Sequence, residues 1–134
     1  MQEISIPPKN QSPRVEFNPN GKLLLEGRSM PENVFKLFNP LMKFATELQA
    51  PQVDFDINLE YFNTATSKRV LELLRALDQN RKIYQLNVIW HYESDDEDSA
   101  EMADIYDECL ERAHMYLMEH KQAVQLSTRV EFSS

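Results

Sequence analysis

The amino-acid sequence predicts an α/β domain built on a mixed sheet of about five strands, with helices packed on one face. Three observations lead to that class. From Val53 to Tyr61 the chain alternates strictly, with Val53, Phe55, Ile57, Leu59 and Tyr61 on one side and Asp54, Asp56, Asn58 and Glu60 on the other. A strand covered on both sides reads as a continuous apolar run, so this polar row predicts a sheet with one wetted face. Stretches of helical spacing then alternate with stretches of period two, the pattern of parallel strands joined through helices. Finally, only two glycines occur, Gly21 and Gly27, so no phosphate-cradling glycine loop exists and a doubly wound nucleotide-binding fold is disfavoured.

The elements follow in order. Residues 1–12 carry two of the chain's prolines, Pro7 and Pro8, and little periodicity, which reads as a loose arm. Arg14 to Phe17 alternates, Asn18-Pro19-Asn20-Gly21 is turn chemistry, and Lys22 to Glu26 is apolar at its centre; together they predict a hairpin. Ser29-Met30-Pro31-Glu32 has the Ser-x-x-Glu spacing of a capping box. The helix it announces carries Val34, Leu37, Phe38, Leu41, Phe44, Ala45 and Leu48 on one face. Pro40 lies inside it and predicts a kink or a restart capped by Asn39. After the strand at Val53, a second helix runs from about Ser67 to Asn80 with Val70, Leu73, Leu74 and Leu77 inward. Tyr84, Leu86, Val88, Trp90 and Tyr92 alternate in a fourth strand, joined to the third by a parallel crossover. Ser94-Asp95-Asp96-Glu97-Asp98 supplies a second Ser-x-x-Glu box and a run of carboxylates suited to a helix N-terminus. The helix that follows meets no breaker before about His120. Val124, Leu126, Thr128, Val130 and Phe132 then alternate as a last strand. The order is β-β-α-β-α-β-α-β in a single domain spanning 1–134.

Composition narrows the function. With 134 residues, 42% hydrophobic and 27% charged, the chain fits one packed domain. A formal charge of -8 repels phosphate backbones and anionic lipid, so protein partners are expected rather than nucleic acid or membrane. The lone Cys109 and a polar, proline-bearing start predict a cytoplasmic protein with no internal disulfide.

The titratable residues offer little chemistry. His91, His114 and His120 lack metal-ligand spacing, and Cys109 has no partner cysteine, so no metal and no cofactor are expected. Helix capping accounts for Asp95 to Asp98 more simply than a calcium loop, which needs alternating oxygen ligands and a central glycine. Cys109 falls at an apolar helical position and reads as a buried, inert thiol. The unusual feature is the step from strand to helix, Asn63-Thr64-Ala65-Thr66-Ser67-Lys68, with three hydroxyls in four positions. Capping by Asn63 or Thr64 explains part of it. The same physics makes it a place where a phosphate is tolerated, because free backbone N–H groups and the positive end of the helix dipole meet there.

Three stretches together resemble one family: Gly27-Arg28-Ser29-Met30-Pro31-Glu32-Asn33, then Glu60 to Lys68, then Trp90-His91-Tyr92 ahead of the acidic run. They are similar to the bacterial SiaC family of regulatory phosphoproteins, over about Pro13 to Glu108. The resemblance implies a fold like the STAS domains of anti-sigma-factor antagonists. It implies a non-enzymatic partner switch, phosphorylated by a dedicated Ser/Thr protein kinase and dephosphorylated by a PP2C-like phosphatase. The unphosphorylated form would activate a diguanylate cyclase, placing the protein in cyclic-di-GMP signalling and biofilm regulation. The acceptor implied is the Thr after the Asn, Thr64, with Tyr61, Phe62, Asn63 and Lys68 bordering the docking surface. The sequence departs at Ala65, where Ser is common, which leaves Thr66 and Ser67 as backup acceptors. The family's last strand would fall nearer His114 to Glu119. The rival readings are an anti-sigma-factor antagonist acting on a sigma-factor pathway, and a small metal-dependent hydrolase or ligand-binding domain using the acidic run and His91.

Overall fold

A computed structural model describes residues 1–121 of the chain. Six strands form one mixed sheet in sequential order: β1 (Ile4–Ile6), β2 (Arg14–Phe17), β3 (Lys22–Ser29), β4 (Gln52–Phe62), β5 (Gln85–Glu93) and β6 (His114–His120). β1, β2 and β3 pair antiparallel, and β3 to β6 pair parallel. Each parallel step is bridged by a helix: α1 (Val34–Glu47), α2 (Thr64–Gln79) and α3 (Glu97–Glu108). The strand count exceeds the predicted five because Ile4–Ile6, inside the arm 1–12, adds to the edge of β2.

The hairpin forms as its turn chemistry predicts. Asn18 and Asn20 side chains accept from the Asn20 and Lys22 amides at 2.9 Å, and Gly21 takes φ +102°. A Cβ there would sit 2.2 Å from the Gln52 carbonyl oxygen, so only glycine lets β4 close against the turn.

The apolar sides of β2 to β5 and the inner faces of the helices bury one core. Phe17 meets Phe44 and Phe55 edge-on at 5.4 Å, the arrangement ring quadrupoles favour. Trp90 is buried, donates to Ser99 Oγ at 3.0 Å and meets Tyr106 edge-on at 5.5 Å. On the other face Asp54, Asp56 and Asn58 stay partly exposed, as the polar row predicts.

Four local expectations are corrected. Ser29 is not a helix cap: it ends β3, is fully buried, and α1 is capped by Asn33, whose Oδ1 accepts from Lys36 N at 3.1 Å. Pro40 neither ends nor restarts α1, which runs through it to Glu47, so Asn39 caps nothing. The second Ser-x-x-Glu box also fails, because Asp96 caps α3 by accepting from Ser99 N at 3.0 Å. In each failed box a residue nearer the helix competes successfully for the free amide.

The fourth correction is the length of α3, which stops at Glu108 instead of reaching His120. The next turn cannot form because the Asp78 carboxylate captures the amides of Glu111, Arg112 and Ala113, each at 2.8 Å. The chain therefore turns into β6 at His114. The strand expected over Val124 to Phe132 lies outside the described residues. Among the described residues no helix is long and apolar enough to cross a membrane.

Candidate functional site

The strand-to-helix step at Asn63 is built by three elements. Asn63 caps α2, its Oδ1 accepting from Thr66 N at 2.9 Å. Its own amide donates to Ser29 O at the end of β3. The hydroxyls that follow then divide sharply. Thr66 is fully buried, donating from Oγ1 to Ser29 O at 2.8 Å and lying 3.0 Å from Ser29 Oγ. Ser67 is half-buried and donates back to Thr64 O at 2.8 Å. Thr64, the first residue of the helix, is exposed, as are Ala65 and Lys68. It stands in the turn where backbone N–H groups have no acceptor within the helix.

A bulge sets what flanks this step. β3 and β4 stay in register to Gly27 opposite Leu59, and then Arg28 pairs with Tyr61, so Glu60 is skipped. The extra residue reverses the alternation at the end of the strand. Tyr61, placed on the apolar face by period two, is instead 57% exposed, with the Arg28 guanidinium 5.0 Å above its ring. Phe62 turns inward and meets Trp90 edge-on at 6.3 Å. On the far side Arg69 lies 4.9 Å over the half-exposed Phe35 ring and pairs with Glu72 at 2.7 Å.

Tyr106 fixes the entrance from α3 by donating to Ser67 O at 2.7 Å. Burial pushes its phenol up to about 12, because the charged form loses hydration. On the open face the Asn87 amide bonds the Asp54 carboxylate at 2.9 Å and holds its pKa down, with Lys22 at 3.1 Å assisting.

The structure thus brings Tyr61, Phe62, Asn63, Thr64, Thr66, Ser67 and Lys68 to one corner, but gives them different surroundings. Sequence reasoning missed Arg28, Ser29 and Tyr106 as parts of that corner. No local signal reveals them, since their contacts depend on the pairing of β3 with β4 and on how α3 docks. The acidic run caps α3 as expected, with Glu97 and Asp98 in its first turn. Cys109 is half-buried at the end of that helix, not fully buried within it. Among the described residues no three His, Cys, Asp or Glu side chains converge to hold a metal ion.

Comparison with known proteins places this geometry. A family model described as SiaC family regulatory phosphoprotein matches residues 6–120, reaching past the expected limit at Glu108 to the end of β6. An uncharacterized protein of Pseudomonas aeruginosa strain UCBPP-PA14 is 28% identical over 114 residues, 81% of this chain and 90% of its own. The SiaC structure of Pseudomonas aeruginosa superposes with a TM-score of 0.75 at 24% identity, over 90% of this chain and all of that one. A second SiaC structure, solved in complex with the diguanylate cyclase SiaD that it activates, gives a TM-score of 0.73 at 26% identity. It covers 87% of this chain and 99% of that one.

Proposed function

The chain belongs to the SiaC family of regulatory phosphoproteins, and on that premise we propose that it is a non-enzymatic switch with Thr64 as phosphoacceptor and a diguanylate cyclase as effector. The observation that carries the reading is the division of the hydroxyls at the entrance to α2. Thr64 is exposed, whereas Thr66 is fully buried and bonded to Ser29. A kinase can reach Thr64 on the folded chain, while Thr66 demands that the first turn of α2 open. Ser67 is half-buried with its hydroxyl turned back to Thr64 O, which ranks it second.

A phosphate on Thr64 adds about -1.5 to -2 charges and three acceptor oxygens. At the first helical position it is stabilised by the free amides and the helix dipole, with Lys68 one turn away, so the fold tolerates it. The surface around it becomes more negative. Tyr61, Arg28 and Lys68 form an exposed aromatic and cationic rim, a composition common at protein interfaces. An effector that docks on a neutral hydroxyl and these groups loses that match once the phosphate is present. This is the partner switch, with a Ser/Thr kinase and a PP2C-like phosphatase setting the two states. Support for the cyclase comes from the Pseudomonas aeruginosa relative that activates SiaD.

The test is a phosphosite map of the chain purified from its native cell, joined to recovery of partners by the Thr64→Ala and Thr64→Glu variants. Phosphate is expected on Thr64 and absent from Thr66. The Ala form is expected to recover cyclic-di-GMP-forming activity and the Glu form to recover little. Absence of phosphate from Thr64 under every growth condition, or equal recovery of the cyclase by both variants, defeats the reading.

A further inference from the structure

On the open face of the sheet, away from the helices, three side chains from three strands form a continuous hydrogen-bonded chain. His91 Nε2 lies 2.7 Å from Asp56 Oδ1, and His91 Nδ1 lies 2.8 Å from His120 Nε2. The two rings are within 19° of parallel with centroids 5.1 Å apart. Nitrogens so much closer than the centroids mean that the rings meet end to end, not face to face, so the lone pair of one nitrogen faces the other. A metal ion bound to both imidazoles needs about 2.0 Å to each nitrogen and does not fit between atoms 2.8 Å apart along that line. A proton does.

The carboxylate fixes where the protons are. Ionised Asp56 only accepts, so His91 Nε2 carries the hydrogen; neutral His91 then accepts at Nδ1, and His120 must donate from Nε2. Among the described residues nothing bonds His120 Nδ1, which is left as the acceptor for one further proton. Taking it up leaves both bonds intact and makes the His120 to His91 bond charge-assisted. A second proton has to enter at His91 Nδ1, where the His120 N–H already points, and the two N–H groups then repel. We infer that Asp56, His91 and His120 form a one-proton latch that ties the end of β6 to the middle of the sheet and opens when the second proton arrives.

The latch is well placed to transmit that change. His91 is only 14% exposed at its side chain, and the His120 carbonyl accepts from Ser94 N at 2.8 Å, so the same residue closes β6 against the turn into α3. Among the described residues, the charged groups on the same face of the neighbouring strands are Asp54 with its Lys22 partner, Glu26 with its Arg14 partner, Glu60 and Glu93. Asp54 is already matched to Lys22 and Asn87, and Glu26 to Arg14.

The experiment is nitrogen NMR of the histidines in the full chain as pH is lowered from neutral. Two separate transitions are expected. Through the first, His120 becomes charged while the through-hydrogen-bond coupling between His91 Nδ1 and His120 Nε2 persists. In the second that coupling is lost and the amides of Glu119 and His120 lose protection. His120→Ala should leave a single His91 transition with its Asp56 bond retained. A common, independent titration of both rings overturns the inference, as does zinc displacing the shared proton and shifting both rings at neutral pH.

Discussion

The two ends of α2 are held by opposite means. At its C-terminal end Asp78 is buried, gathers three backbone amides of the 111–113 segment, and is followed by Asn80, which donates to Ala45 O and Leu48 O at 2.9 Å. Arg112 closes this knot by donating to the carbonyls of Asp78, Asn80 and Ile83. At the N-terminal end the restraints are neutral, namely the Asn63 cap and its amide on Ser29 O, the Thr66–Ser29 pair and the Tyr106 hydroxyl on Ser67 O, and the outer face is left to solvent. Buried charge-assisted bonds are the costly ones to lose. One end of α2 therefore serves as an anchor, while the other can accept chemistry without unfolding the helix.

That difference is measurable by urea unfolding. Asp78→Ala is expected to cost the most, at least about 3 kcal/mol, because three backbone amides lose a buried carboxylate acceptor together. If it costs no more than a change at the entrance, the anchor reading fails.

The next largest effect is in pH. The Tyr106 phenol ionises near 10 when unfolded and at about 12 when folded. Its raised folded value means that the stability it contributes is complete below pH 10 and is lost as pH rises from about 10 to about 12. The loss is on the order of 2 kcal/mol. Tyr106→Phe should flatten that alkaline limb, and an unchanged limb would remove Tyr106 from the entrance.

Within the entrance, Thr66→Val keeps the shape and removes the hydroxyl pair with Ser29, for a loss of about 1–2 kcal/mol. Asn63→Ala removes the cap at about 1 kcal/mol. Thr64→Ala, at an exposed first-turn position, should stay within about 0.5 kcal/mol of the parent. A Thr64 as costly as Thr66 would mean that the three hydroxyls act as one structural unit.

Much of the architecture was legible along the chain. Alternation in β4 and β5 and helical spacing in α1 and α2 are local periodicities, and they carried the one-sided sheet and the parallel crossovers. The Asn18 to Gly21 turn was legible for the same reason. The failures share a cause. Ser29 has the spacing of a cap and becomes a buried partner of Thr66, and Tyr61 has the parity of a core residue and becomes a rim residue. Asp78 lies off the inward set of Val70, Leu73, Leu74 and Leu77, and it is buried and ends α3. Each is decided by a contact between residues more than 30 positions apart, which no window of sequence contains.

By itself the sequence determined that there would be an amphipathic sheet and a capped helix entrance rich in hydroxyls, because capping and periodicity are properties of a few adjacent residues. Only the tertiary structure decided which hydroxyl stays accessible. The bulge at Glu60 and the docking of β3 against α2 bury Thr66 against Ser29 and leave Thr64 outside, and burial is a property of what a residue is packed against rather than of the residue itself.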